Sequence, residues 1–192
     1  MTETPIKTLR RGAVLEVTLD RPRANAIDAA TSKIMGAVFT QFRDDPDLRV
    51  AIVTGAGQKF FCPGWDLKAA AGGEAVDGDY GKGGFGGLQE LRGLNKPVIA
   101  AIEGPCIGGG VSLAVACDLR ICTSGATFGI TPARLGLVYP PGDMLRLVRL
   151  VGPGATRRLL YTGRIFDSAG ALAMGLVDEV VDSPAILPAA RA

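Results

Sequence analysis

The chain has 192 residues, 47% of them hydrophobic, which is enough to bury the core of one compact domain. Its 21 basic and 19 acidic residues give a net charge of +2 with no basic arm or stripe, which argues against a nucleic-acid partner. Histidine is absent altogether, so Ser–His and Cys–His nucleophiles are excluded and acid–base chemistry falls to Asp, Glu, Tyr, Lys or Cys.

No basic and then apolar leader precedes a small-residue cleavage site, and no apolar run reaches membrane-spanning length. The expectation is a soluble, cytoplasmic protein that does not engage a membrane. Cys62, Cys106, Cys117 and Cys122 form no CxxC pair, so they read as buried thiols and no metal site is expected.

In chain order, "AVLEVTLD" (13–20) alternates as a half-buried strand, and "RPRAN" is turn material leading to a helix cap at Asp28. From Ala29 to Phe42, the positions Ile34, Met35, Val38, Phe39 and Phe42 predict one buried helical stripe. "RVAIVTG" (49–55) predicts a fully buried strand, and the glycine- and charge-rich stretch 71–87 a mobile surface loop. "KPVIAAIEG" (96–104) predicts a strand, followed by a glycine loop, a helix over about 109–117 and the strand "LRICT". The segments 141–152, 154–163 and 167–175 have helical spacing, and "LVDEVVD" (176–182) closes as a strand. Strands alternate with helices throughout, so the fold class is α/β.

Glycine loops between a strand and a helix raise the idea of a phosphate cradle. "TGAGQKF" (54–60) fails the GxxxxGK[ST] spacing, and "GPCIGGG" (104–110) lacks GxGxxG, which sets nucleoside triphosphates and dinucleotides aside. Two readings of Gly108, Gly109 and Gly110 stay open. Either they permit tight strand–helix packing, or they aim backbone N–H groups at an oxygen that becomes negative during a reaction.

The second loop, "KFFCPGWDLKAA" (59–70), carries a resemblance. Together with "VTLDRPRANAID", "NKPVIAAIEGPCIGGGVSLAVACDLRI", "FGITPARLGLVYP" and "TGRIFDSAGALAMGLVDEVV", it resembles the crotonase (enoyl-CoA hydratase/isomerase) superfamily over nearly the whole chain. The wording of 43–71 is closest to a dehydratase branch of that family. The resemblance implies a single domain over 1–192, a spiral of β-β-α units, with the family's C-terminal helical region absent. It also implies an acyl-coenzyme A thioester as substrate with no prosthetic group, and a homotrimer or dimer of trimers.

By that resemblance, the backbone N–H groups of Trp65 and Gly109 form an oxyanion hole, and coenzyme A contacts fall on Arg23, Ala24, Ala26, Cys62, Gly64, Asp66 and Leu67. Arg21, Lys59 and Lys68 are further candidates for the ligand's phosphates. The two glutamates of the family's hydratases map onto Ser112 and Pro132, so both carboxylates are absent. Tyr139 stands where the family's decarboxylases carry a tyrosine, and Asp143 lies a few residues past an aspartate used by some isomerases. Tyr139, then Asp143, then Ser112 are the candidate catalytic side chains, while Glu103 at a strand end is expected to be exposed. The expectation is an acyl-CoA isomerase or decarboxylase; the alternative is a non-catalytic acyl-CoA-binding protein or degenerate paralogue.

Overall fold

A computed structural model describes residues 4–75 and 78–192. The first strand, β1 (Ile6–Arg11), pairs antiparallel with β2 (Val14–Leu19) through a turn at Gly12, whose φ of 59° suits glycine. The sequence pattern missed β1 because only Ile6 faces the core; the strand forms the outer edge of the sheet and carries Lys7, Arg10 and Arg11. Beyond β2 the sheet continues in parallel through β3 (Val50–Gly55), β4 (Val98–Ile102), β6 (Leu119–Thr123) and β9 (Glu179–Val181). Strands β3 and β4 are covered on both faces, so they read as continuous apolar runs.

A second, smaller sheet joins β5 (Pro105–Ile107), β7 (Thr127–Gly129) and β8 (Phe166–Asp167). Single parallel bridges, Cys62 to Cys106 and Ile27 to Trp65, add earlier parts of the chain to the same layer. Successive turns therefore place one strand in the large sheet and one short stretch in the small layer before a helix begins. This repeated β-β-α unit is the spiral the resemblance implied.

Helix α1 (Ala29–Asp44) begins where expected, with the Asp28 side chain accepting from the Thr31 N–H at 2.7 Å. Its buried face is Thr31, Ser32, Met35, Gly36, Phe39 and Phe42, whereas Ile34 is exposed and Val38 only half-buried. Stepping back from Phe42 by three or four residues selects that face and leaves Ile34 a quarter-turn away from Met35. The helix α3 (Gly109–Val115) follows the glycine loop. Segments 141–152 and 154–163 form one span, α4 (Pro141–Thr162), broken at Gly152 (φ 76°, ψ 167°) just before Pro153.

One expectation is corrected, and one element had gone unforeseen. The stretch 71–87, of which residues 76 and 77 lie outside the described residues, is not simply a surface loop. Gly83, Gly86 and Gly87 are buried, and a Cβ on Gly87 would stand 2.3 Å from the Gly36 nitrogen, so the glycines serve close packing against α1. Helix α5 (Ser168–Ala173) falls inside the expected 167–175. At the other end, helix α6 (Ile186–Arg191) had no helical signal because Pro188 interrupts it, yet Ile186 and Ala190 bury against β4 and β6.

Candidate active site

Two loops meet at the glycines. A Cβ on Gly64, whose φ is 96°, would lie 2.5 Å from the Gly109 nitrogen, and a Cβ on Gly110 would lie 2.0 Å from the Cys62 carbonyl oxygen. Both neighbours are backbone, so no side-chain movement relieves such contacts. The packing reading of the glycine cluster is thus true as far as it goes.

The same packing presents two N–H groups. The Ile27–Trp65 bridge uses the Gly64 carbonyl (2.8 Å) and the Asp66 N–H (2.9 Å), leaving the Trp65 N–H between them outside the bridge. Gly109 is the first residue of α3, so its N–H lies outside the intrahelical ladder. Trp65 and Gly109 both line one cavity of about 1140 Å³.

The loop 21–26 is held by Asn25, which the sequence did not single out, and by Arg21. Buried Asn25 (φ 59°) donates to the Ala56 (3.1 Å) and Phe60 (2.8 Å) carbonyls and accepts from the Arg21 N–H (3.1 Å). Arg21 is committed to structure: its guanidinium pairs with Asp28 (2.6 Å) and Asp66 (3.1 Å) and donates to the Ala26 carbonyl. Arg23 and Lys68 remain as exposed cations lining the cavity, whereas Lys59 does not line it.

The three side-chain candidates converge beside the glycine loop. Ser112 donates to the Tyr139 hydroxyl at 2.5 Å, and Tyr139 donates to the Gly108 carbonyl at 3.2 Å. Asp143, only 2% exposed, pairs with Arg146 at 3.2 Å, and Arg146 also donates to the Gln89 carbonyl. Ser112, Tyr139 and Asp143 all line the cavity with Trp65 and Gly109. Burial pushes the Asp143 carboxyl above its ordinary value, outweighing the downward pull of Ser112, Arg146 and Gln89. Burial, reinforced by the charge of Asp143, pushes the Tyr139 phenol up as well, so it stays a neutral hydroxyl.

Of the residues assigned to coenzyme A, Arg23, Ala24, Ala26, Asp66 and Leu67 line the cavity, but Cys62 and Gly64 do not. Cys62 is fully buried behind the loop, where its sulfur accepts from the Gly64 N–H at 3.3 Å. Gly64 acts through its contact with Gly109. Ser112 and Pro132, the positions onto which the resemblance maps the hydratase glutamates, both line the cavity. Glu103 is half-buried, accepting from Ser183, and does not line it. Glu90 lines the cavity and was missed, since nothing in "GGLQEL" distinguishes it from a surface charge.

Two glycine-bearing loops thus meet beside one cavity, carried on a β-β-α spiral. Residues 10–192 match the enoyl-CoA hydratase/isomerase family, and the chain belongs to that family of acyl-CoA enzymes. It is 55% identical over 181 residues to the carnitinyl-CoA dehydratase of Proteus mirabilis (strain HI4320), covering 94% of this chain and 69% of the relative. The carnitinyl-CoA dehydratase of Escherichia coli (strain K12) is 53% identical over 182 residues, covering 95% of this chain and 70% of the relative. A solved carnitinyl-CoA hydratase from Mycobacterium avium superposes with a TM-score of 0.91 at 36% identity, over 99% of this chain and 73% of that one. The dehydratase branch suggested by residues 43–71 is therefore the branch of these relatives. Among the described residues, no helix is long and apolar enough to cross a membrane.

Proposed function

We propose that the chain binds an acyl-CoA thioester with its carbonyl oxygen between the N–H groups of Trp65 and Gly109 and catalyses a reaction that passes through the thioester enolate. The observation that carries this reading is the convergence of those two donors with Asp143, Ser112 and Tyr139 on one cavity. Preorganised donors aimed at a developing oxyanion are worth about 3–4 kcal/mol each. Arg23 and Lys68 at the exposed rim suit the phosphates of coenzyme A.

The reaction class follows from the inventory of carboxylates. Adding or eliminating water requires proton management at two centres, and the positions where the resemblance places the hydratase glutamates hold Ser112 and Pro132. A double-bond shift needs only one base: Asp143 removes a proton from the α-carbon of a 3-enoyl thioester and returns it to the γ-carbon, while the N–H pair carries the charge of the dienolate. Decarboxylation also fits. There the C–C bond electrons of a malonyl-type substrate become the enolate as CO₂ leaves, and Tyr139 supplies the proton that quenches it. A second reading, dehydration of a β-hydroxyacyl-CoA, is favoured by the names of the relatives at 53–55% identity.

The deciding experiment incubates the protein separately with a 3-enoyl-CoA, methylmalonyl-CoA, crotonyl-CoA and carnitinyl-CoA and follows products by mass. Conversion of the 3-enoyl to a 2-enoyl thioester, or loss of CO₂ from methylmalonyl-CoA, is the expected result. Robust hydration of crotonyl-CoA or dehydration of carnitinyl-CoA would replace it with the second reading. Tight binding of all four without turnover would leave an acyl-CoA-binding protein.

A further inference from the structure

The Trp65 side chain is held from outside the cavity. Its indole N–H donates to Glu74 Oε1 at 3.1 Å, and the same carboxylate accepts from the Ala29 N–H through both oxygens, at 3.1 and 3.2 Å. Ala29 is the first residue of α1, where unpaired N–H groups and the helix dipole favour a negative charge. Asp28 already caps that helix end through Thr31, so a second carboxylate is not needed merely to begin the helix.

The path of the chain makes the contact deliberate. After Trp65, Asp66 caps the short helix α2 (Leu67–Ala71) by accepting from the Lys68 N–H at 2.9 Å. The chain then turns back, with the Glu74 N–H donating to the Ala69 carbonyl at 3.0 Å. This closed turn returns Glu74 to the residue where the loop began.

We infer that Glu74 is a positioning residue, which fixes the Trp65 indole against the N-terminus of α1 and thereby sets the cavity wall beside the Trp65 N–H. The inference rests on the reading of that N–H as an oxyanion donor. A small misplacement of such a group is enough to slow a reaction by about 10²-fold, so the tether belongs to the machinery without touching substrate.

Trp65 is the only tryptophan of the chain, so its fluorescence reports the contact directly. Glu74→Ala is expected to shift the emission maximum and raise acrylamide quenching with the far-UV circular dichroism unchanged. On whichever acyl-CoA the wild type turns over, kcat should fall about 10-fold to 10²-fold with a smaller change in KM. Glu74→Gln keeps an oxygen acceptor and should restore both the emission and most of kcat. Wild-type emission and quenching in Glu74→Ala, or a Gln variant no better than Ala, would overturn the inference. If Glu74→Ala does not fold, Trp65→Phe, which keeps a ring and removes the donor, must lose kcat to the same extent; wild-type kcat in that variant also overturns it. A wild type that turns over no acyl-CoA sinks the functional reading, while the fluorescence of the Glu74 variants still decides the tether.

Discussion

Ser112 and Tyr139, 27 residues apart in the chain, share a 2.5 Å hydrogen bond, and Tyr139 passes the chain of donors on to the carbonyl of Gly108. The hydroxyl pair thus ends on the residue just before Gly109, joining the polar wall of the cavity to its glycine wall. Tyr139→Phe removes the link, taking away the hydroxyl that joins buried Ser112 to the Gly108 carbonyl. A loss of about 1–3 kcal/mol in urea unfolding is expected. If Tyr139 delivers a proton, turnover should fall by about 10²-fold or more. An unchanged rate would remove Tyr139 from the mechanism.

Asp143 makes stability and activity depend on pH in opposite senses. Its carboxyl sits above the ordinary 3.8 because of burial, so the folded protein holds that proton more tightly than the unfolded chain does. The stabilisation is present at low pH and is lost as pH rises through the native value. Asp143→Asn, permanently neutral, should flatten that decline in urea midpoints measured upward from about pH 4. Activity that uses the carboxylate as base should rise with pH through the same raised value in the wild type, and the Asn variant should lack that limb.

The glycine contacts predict a sharp contrast. Gly110→Ala places a methyl 2.0 Å from the Cys62 carbonyl, so it should cost about 3 kcal/mol or more and deplete soluble protein. Gly136→Ala meets nothing within 4 Å and carries only the strain of a φ of 69°, about 1–2 kcal/mol. Thermal unfolding of the two variants side by side checks the order.

Asn25 is expected to govern ligand affinity through the loop it clamps. Asn25→Ala abandons the Ala56 and Phe60 carbonyls and the Arg21 N–H, at about 2–3 kcal/mol of stability. Because Arg23, Ala24 and Ala26 sit on that loop, KM for acyl-CoA should rise several-fold while kcat changes little. A fall in kcat alone would contradict this division of labour.

The thiols should be silent in the folded protein. Burial pushes Cys62 and Cys117 up to about 12 and Cys122 up to about 11, and raises Cys106 further beyond its ordinary range. A thiol reagent at pH 8 should find no reactive group until denaturant is added, and then all 4 cysteines. Rapid labelling of the native protein would show that the core around the Cys62–Cys106 bridge opens.

The sequence by itself determined the strand–helix alternation, the Asp28 cap and the family, because these depend on local periodicity and on motifs of contiguous residues. It also named the residues of the polar wall, though as three separate candidates ranked by analogy. Only the tertiary structure brought Ser112, Tyr139 and Asp143 into one cavity, since they lie on different segments whose meeting depends on how α3 packs against α4. It paired Arg21, which lines the cavity, with Asp28 and Asp66, and placed Cys62 behind the loop, because pairing and burial are not visible in a charge or a thiol read alone. The same holds for the glycines. Their abundance could mean flexibility or close approach, and at Gly64, Gly87 and Gly110 the choice was made by backbone standing 2.0–2.5 Å from where their Cβ atoms would be.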